Sequence, residues 1–179
     1  MAELAPAKIW MNRAIFMLLA FVLVVVQLVP LDMRPVIWAM PDFLLVVTLV
    51  WVTRRPDYLP ILVIAGIFLM ADLLFQRPPG LFAALVIILA EALRKRSRSM
   101  RAIPLALEWG TVAFGIVAIT VVNRLVLTIV MSPQAPLGLT LIQMIATIFA
   151  YPVIVLVAHL FFGVTRPVPG QLDGRGQRI

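Results

Sequence analysis

Apolar residues occur in six long runs along the chain, and short polar segments separate the runs. A helix needs about 20 consecutive, mostly apolar residues to cross the hydrocarbon core of a bilayer. The runs at 14–30, 36–53, 59–75, 80–93, 102–130 and 140–163 are therefore predicted to be membrane-spanning helices. The fourth run is short for one crossing and the fifth is long. The pattern predicts an all-α, polytopic membrane protein, built as a single bundle of six transmembrane helices.

The two ends of the chain are interpreted separately from this bundle. The first run follows Lys8 and Arg13, as the apolar region of a signal peptide follows basic residues, but no small-residue cleavage site comes after it. We expect the run to be retained as a membrane anchor. The segment 166–179 is polar and rich in Pro and Gly, a composition typical of flexible segments. The predicted domains are a transmembrane domain over 1–165 and a flexible cytoplasmic tail over 166–179.

Composition indicates that the solvent of this chain is the bilayer. Hydrophobic residues make up 63% of the 179 residues and charged residues 13%, about half the charged share of soluble domains. The chain has no cysteine, which excludes disulfides, thiolate metal sites and thiol nucleophiles. The net charge of +7 does not indicate a nucleic-acid partner, because no basic segment is interleaved with aromatic residues.

The distribution of Lys and Arg predicts how the bundle is oriented. With six crossings, twelve basic residues fall on the side of the termini: Lys8, Arg13, Arg54, Arg55, Arg94, Lys95, Arg96, Arg98, Arg101, Arg166, Arg175 and Arg178. Three fall on the other side: Arg34, Arg77 and Arg124. Loops rich in Lys and Arg stay in the cytoplasm, so both termini are predicted to be cytoplasmic. The basic segment 94–101 is interpreted as a determinant of this topology, and it could also contact anionic lipid.

Charged residues of both signs converge on the outer side under this topology. They are Arg34, Asp42, Asp72, Arg77 and Arg124. A charge in hydrocarbon costs roughly 3 kcal/mol even on lenient scales, so these side chains should face the bundle and pair with one another. We interpret them as an ion-pair and capping network that fixes the helix ends, with Arg77 or Arg124 as the partner of Asp72. A polar pocket for a ligand and a proton relay are the alternatives.

Signatures of enzymes are missing from the sequence. It has no His/Asp/Glu cluster at metal-ligand spacing, no nucleophile elbow and no Gly-rich phosphate loop. We therefore expect a protein that is not an enzyme and has no catalytic residue, cofactor or metal. On the inner side, Glu91 precedes Lys95 by four residues, the spacing of a helix-surface pair, and Glu108 is expected to meet the inner basic segment. Pro152 is expected to kink the last helix.

Three stretches of the sequence resemble the MreD family, namely RPVIWAMPDFLLVVTLVWVTRRPD (34–57), AGIFLMADLLFQRPPGLFAAL (65–85) and FAYPVIVLVAHLF (149–161). The family pattern has a Pro-Asp or Pro-Asn pair opening the second span, a Gly ahead of an Asp in the third, a Gly opening the fourth and a Pro in the last. The matching positions are Pro41, Asp42, Gly66, Asp72, Gly80 and Pro152. One departure is Arg77-Pro78-Pro79, which replaces the small polar residues usual before the glycine and should stiffen that turn. The basic 94–101 segment is also heavier than the pattern needs.

The resemblance implies a function and a set of partners. MreD-like proteins are non-catalytic, multi-pass proteins of the bacterial inner membrane that bind the bitopic protein MreC. Together with RodA, a class B penicillin-binding protein and MreB filaments, they organise lateral peptidoglycan synthesis and rod cell shape. Their fold is similar to that of the substrate-binding S-components of energy-coupling-factor vitamin transporters. The alternative function is therefore that of an S-component-like subunit for small-molecule uptake.

Overall fold

The computed structural model describes residues 4–28, 39–100 and 104–162, and all regular structure in these ranges is helical. Its α-helices are α1 (Leu4–Leu28), α2 (Phe43–Arg54), α3 (Ile61–Leu74), α4 (Leu81–Met100), α5 (Leu105–Ile129) and α6 (Leu137–Phe162). A short 3₁₀ turn, Pro56–Tyr58, joins α2 to α3. The predicted all-α class is confirmed. Arg34 and the predicted tail at 166–179 lie outside the described residues.

Each predicted apolar run corresponds to one helix, but the helix bounds differ from the prediction in three places. Helix α1 begins at Leu4 rather than at residue 14 and so includes Lys8 and Arg13, which were predicted to precede the first span. Helix α2 begins at Phe43 rather than at residue 36, because Asp42 caps its N-terminus. Helix α4 continues to Met100 through the basic segment that was predicted to be a loop. Arg and Lys are good helix formers, and no Gly or Pro occurs between Leu81 and Met100, so the polar residues of this segment can continue the helix.

Three of the helices are long and apolar enough to cross a membrane: Ile9–Leu28 within α1, all of α5, and Leu137–Leu160 within α6. Helices α2 and α3 are apolar but have only 12 and 14 residues. At 1.5 Å per residue they extend about 18 and 21 Å, less than the roughly 30 Å of the hydrocarbon core. The three long helices indicate a membrane protein. Of the two short helices, α2 is enclosed by its neighbours, whereas α3 keeps an exposed face.

Helix α2 forms the centre of the bundle. Every residue from Leu44 to Thr53 is buried, and both α4 and α6 pack against this helix. Helix α3 packs on α4, and α5 lies between α4 and α6. The peripheral α1 contributes Phe16, whose ring centroid is 6.0 Å from that of Trp51 in α2. A helix that is apolar on all sides, as α2 is, can be stable only when it is enclosed in this way.

The peripheral helices expose large apolar side chains to the surroundings of the bundle. Leu18 of α1 is 67% exposed, Phe114 of α5 is 76% exposed and Phe149 of α6 is 61% exposed. Contiguous apolar surface of this kind is rare on soluble monomers. In a bilayer it contacts the acyl chains, so the outward faces of α1, α5 and α6 are the lipid-facing surface expected of a membrane protein.

The bundle has two ends with different chemistry. Helices α2, α4 and α6 begin where α3 and α5 finish, and this end contains Asp42, Gly80 and Arg124. We call it the Asp42 end. The opposite end contains Arg54 and Glu108, and we call it the Glu108 end. All of the charged groups discussed below belong to one of these two ends.

Helix α6 runs through Pro152, and a neighbouring helix compensates for the hydrogen bond that proline cannot make. Because Pro152 has no N–H, the carbonyl of Ile148 lacks its usual partner four residues later. The indole Nε1–H of Trp109 in α5 donates to that carbonyl oxygen at 2.9 Å. Prolines are tolerated in membrane helices when another group satisfies the freed carbonyl in this way.

We expect Trp109→Phe to lower the free energy of unfolding by about 1–3 kcal/mol, because it leaves the Ile148 carbonyl unpaired. In a Pro152→Ala background, residue 152 has an N–H that can reach Ile148, so the same substitution should cost less. Unfolding of the four proteins in detergent measures the difference. An equal cost in both backgrounds would mean that the bond to Ile148 contributes nothing.

Candidate functional site

Asp72 binds the N-terminus of the next helix. Its side chain is completely buried near the end of α3. One carboxylate oxygen, Oδ2, accepts hydrogen bonds from the backbone N–H groups of Gly80 at 3.2 Å and Ala83 at 3.1 Å. The first N–H groups of a helix have no partner within the helix, and the helix dipole favours negative charge there. Asp72 therefore joins α3 to α4 by satisfying the start of α4.

The backbone conformation of the turn between α3 and α4 restricts which residues can occupy it. Gln76 has a positive φ of 53°, and its N–H donates to the Leu73 carbonyl oxygen at 3.3 Å. The N–H of Arg77 donates to the Asp72 carbonyl oxygen at 2.9 Å, which completes a Schellman ending of α3. Gly80 has a φ of 86°, a conformation that glycine adopts without strain. The Asp72 and Gly80 positions of the MreD-like pattern thus meet in one structural unit.

The partners of Asp72 differ from the predicted arginines. The Arg77 guanidinium lies over the rings of Phe75 and Phe82, 5.2 and 5.3 Å from their centroids. Among the described residues, no basic side chain lies within 4 Å of the Asp72 carboxylate, and Asp72 takes no part in the Arg54–Glu108 and Glu91–Arg94 pairs. The Schellman turn accounts for this, because it binds the backbone of Arg77 to α3 while its side chain lies on aromatic rings. Asp72 therefore caps a helix end, and its hydrogen-bond partners are backbone N–H groups rather than the guanidinium of an arginine.

Arg124 closes the loop between α5 and α6. Its Nη1 donates to the carbonyl oxygen of Ala135 at 3.1 Å and to Thr140 Oγ1 at 2.8 Å. Both acceptors are neutral, so the charge of Arg124 is not balanced by these contacts. The arginine therefore positions the start of α6 and keeps its positive charge at the Asp42 end.

Asp42 caps α2 and also binds α6. Its Oδ1 accepts from the N–H of Leu45 at 3.0 Å, and its own N–H donates to Thr147 Oγ1 at 3.0 Å. Thr147 lies ten residues after the start of α6 at Leu137, which corresponds to roughly 15 Å along that helix. The short central helix therefore begins well below the end of the bundle. Thr147 was not predicted, since a threonine within an apolar run gives no sign of which neighbour it faces.

A cavity of about 390 Å³ occupies the space above the N-terminus of α2. The α3–α4 turn, α5 and α6 form its walls, and Asp42, Arg77, Arg124, Asn123 and Gln143 are among its lining residues. Pockets for small ligands start at about 300 Å³. Of the predicted outer charges, Asp42, Arg77 and Arg124 line the cavity, whereas Asp72 lies beside it within the α3–α4 junction.

A second buried polar cluster lies at the Glu108 end. Glu108 is 1% exposed, and its Oε1 accepts from Tyr151 Oη at 2.7 Å and from Arg54 Nε at 3.3 Å. The Tyr151 hydroxyl is also 3.1 Å from Thr53 Oγ1. These contacts join α2, α5 and α6. We call Thr53, Arg54, Glu108 and Tyr151 the Glu108 cluster.

The Glu108 cluster was only partly foreseen. Glu108 was expected to meet the basic segment 94–101, and the structure pairs it with Arg54 at the end of α2, at 3.3 Å. Glu91 pairs with Arg94 at 3.3 Å rather than with Lys95, and both partners are partly exposed. Arg94 in turn donates to the carbonyl oxygen of Leu59, which fixes it beside Glu91. Tyr151 was missed, although a tyrosine next to a proline in an apolar run is an unusual polar group.

Gly115 and Gly66 differ in how closely other helices pack against them. A methyl group on Gly115 of α5 would lie 2.4 Å from Leu89 Cδ1 of α4, so this glycine permits close packing of two helices. A methyl group on Gly66 of α3 would meet nothing within 4 Å, and Gly66 is exposed. Gly66 is a position of the MreD-like pattern, yet the packing of the described residues does not require a glycine there.

The described residues contain no group of three or more His, Cys, Asp or Glu side chains that could hold a metal ion. The polar groups instead form helix caps, the Glu108 cluster and the lining of the cavity. Chemically, the cavity can bind a polar molecule by hydrogen bonds and charge, and the exposed helix faces can bind lipid or another helix.

Comparison of the chain with protein-family models, with curated proteins and with solved structures gives no match. The resemblance to the MreD family therefore rests on the pattern residues and on their order along the chain.

Proposed function

We propose that the protein is a non-catalytic scaffold or regulator of a bacterial cell-elongation complex. It binds a bitopic, MreC-like partner in the inner membrane and helps to organise lateral peptidoglycan synthesis and rod cell shape. RodA, a class B penicillin-binding protein and MreB filaments are the further members of this complex. The proposal comes from the resemblance of residues 34–93 to the MreD family, and the helical, apolar fold supports it.

The observation that carries the proposal is the exposure of Gly66. Its neighbours on the same helix include Leu62, which is 82% exposed, and Leu73, which is 61% exposed. A glycine on such a face lets the backbone of a second membrane helix approach closely. Since the packing of the described residues makes no use of Gly66, we propose that the exposed face of α3 is where the transmembrane helix of the MreC-like partner packs.

The proposed topology has six crossings with both termini in the cytoplasm. The C-terminal ends of α2 and α4 support it, because Arg54, Arg55, Arg94, Lys95 and Arg96 all lie there, at the Glu108 end. Basic residues near helix ends favour the cytoplasmic side. The Asp42 end would then face outward. Reporter fusions to the tail and to the loop at 132–138 test this arrangement, and a tail reporter active outside the cytoplasm would contradict it.

Depletion of the protein from a rod-shaped bacterial host is the test of the proposed function. We expect the cells to become round while vitamin import continues. Re-expression of the intact chain should restore rod shape, and an unrelated six-helix membrane protein at the same level should not. Cells that keep their shape after depletion would contradict the proposal.

The cavity at the Asp42 end favours a second function, that of a substrate-binding subunit for small-molecule uptake. Its volume of about 390 Å³ is sufficient for a small polar molecule. Under this alternative, the purified protein binds a vitamin tightly and depletion abolishes import without changing cell shape. The same depletion experiment therefore separates the two functions.

A further inference from the structure

We propose that the cavity at the Asp42 end is a binding site for a phosphate group that carries a hydroxylated substituent, such as glycerol phosphate or the head group of phosphatidylglycerol. This site does not depend on the scaffold function, because its test is binding to the purified chain.

The charges of the cavity favour an anion. Its charged lining residues are Arg77, Arg124 and Asp42, which leaves one net positive charge. Oδ1 of the Asp42 carboxylate already accepts from the N–H of Leu45 at the start of α2. The surrounding helices are apolar, and charges in such surroundings are screened less than in water. An anion that enters the cavity therefore gains from both arginines.

The guanidinium groups of Arg77 and Arg124 both have N–H donors that can bind a ligand. Arg77 lies over the rings of Phe75 and Phe82, and no hydrogen bond of its side chain to another described residue is present. Arg124 binds neutral acceptors through Nη1, and a guanidinium has five N–H donors in all. Among the described residues, neither arginine has a carboxylate within 4 Å. Guanidinium groups that are oriented but not neutralised match the planar, bidentate geometry that phosphate accepts.

The remaining polar lining explains why the substituent should carry hydroxyl groups. Asn123 of α5 and Gln143 of α6 face the cavity, and each side-chain amide offers a donor and an acceptor. Thr120 of α5 lies one helical turn from Asn123 and also lines the cavity. Hydroxyl groups can use both the donors and the acceptors of these side chains. A bare inorganic anion would use only the donors, so a phosphorylated polyol is the better match.

Arg77 gives the sharper test of the two arginines. Arg124 also holds the α5–α6 loop, so its removal disturbs the fold as well as the cavity. The guanidinium of Arg77 lies over ring faces, and the Schellman turn depends on its backbone rather than on its side chain. Arg77→Gln should therefore remove a charge from the site while the turn remains intact.

The experiment uses the full chain in nanodiscs of phosphatidylcholine. Calorimetry measures the binding of glycerol 1-phosphate, with glycerol as the uncharged comparison. Native mass spectrometry from mixed phosphatidylcholine and phosphatidylglycerol micelles measures bound lipid. We expect Arg77→Gln to weaken binding by at least about tenfold, since a charge-assisted contact to phosphate is lost. Lys95→Gln, which removes the same charge from the exposed surface of α4 at the Glu108 end, is the matched control.

Each outcome bears on the proposal. Binding of glycerol 1-phosphate that Arg77→Gln weakens and Lys95→Gln does not would support a soluble ligand. The same pattern for phosphatidylglycerol alone would support a lipid head group. If neither binds more strongly than glycerol or phosphatidylcholine, or if Lys95→Gln weakens binding as much as Arg77→Gln, the proposal is overturned. Arg124→Gln, accepted only if its thermal unfolding is unchanged, provides a second variant in which binding should fall.

Discussion

Replacement of Glu108 by alanine should lower the free energy of unfolding by about 3–5 kcal/mol, a typical cost of breaking a buried ion pair by removing one partner. The side chains of Arg54 and Glu108 are only 10% and 2% exposed. Without Glu108, the positive charge of Arg54 would stay in the bundle without its carboxylate, and Tyr151 would lose the acceptor of its 2.7 Å hydrogen bond. Chemical or thermal unfolding in detergent measures the loss.

Glu91→Ala is the matched control for this substitution. Glu91 also pairs with an arginine at 3.3 Å, but its side chain is 31% exposed and that of Arg94 is 25% exposed. Exposed pairs contribute about 0–1 kcal/mol, so this substitution should cost much less. Replacing Arg54 and Glu108 together with methionine should recover part of the loss, because no charge is then left unpaired. A cost for Glu108→Ala no larger than that for Glu91→Ala would contradict the structural function of the cluster.

Replacement of Asp72 by alanine should be the second most damaging change, at about 2–4 kcal/mol, because it leaves one buried and one partly buried backbone N–H group without an acceptor. Those groups belong to Gly80 and Ala83 at the start of α4. Asp72→Asn keeps an oxygen that can accept from them. It loses the attraction between a negative charge and the helix N-terminus and places an amide NH2 where Oδ1 has no hydrogen-bond partner, so it should cost about 1–2 kcal/mol. Thermal unfolding in detergent and the level of protein in membranes are the measurements.

A charge exchange separates this helix cap from the ion pair that the sequence predicted. If Asp72 were held by Arg77, exchanging the two residues would recover part of the lost stability. In the structure, the partners of Asp72 are backbone groups and Arg77 lies on aromatic rings, so the exchange should be at least as damaging as Asp72→Ala. Recovery of stability by the exchanged protein would contradict the cap and restore the predicted pair.

The number and order of the helices could be predicted from the sequence because an apolar solvent permits few backbone conformations. A backbone surrounded by lipid must satisfy its hydrogen bonds internally, so each long apolar run becomes a helix. The prediction that the basic segment 94–101 is a loop was wrong over residues 94–100, which continue α4. Hydropathy marks where the apolar run ends, whereas a helix can continue through polar residues that have good helix propensity, as Arg94, Lys95 and Arg96 do in α4.

The convergence of charge at the Asp42 end could be predicted from depth along each run, but the partners could not. Depth follows from residue number at 1.5 Å per residue, whereas a partner depends on how each helix is rotated about its axis. The bonds from Trp109 to Ile148 and from Tyr151 to Glu108 depend on that rotation. The backbone donors that hold Asp72 are present at every helix start, so no residue type marks them in the sequence.

The most direct test of the scaffold function is site-specific photocrosslinking in membranes of a rod-shaped bacterial host. A photoreactive residue at Leu62, one turn before Gly66 on the exposed face of α3, would lie within reach of a helix packed on that face. The control position is Phe114 on α5, which is 76% exposed to the same bilayer. We predict a covalent adduct from position 62 to a single-span, MreC-like protein and none from position 114. Adducts of equal yield from both positions, or no protein adduct from position 62, would contradict the account.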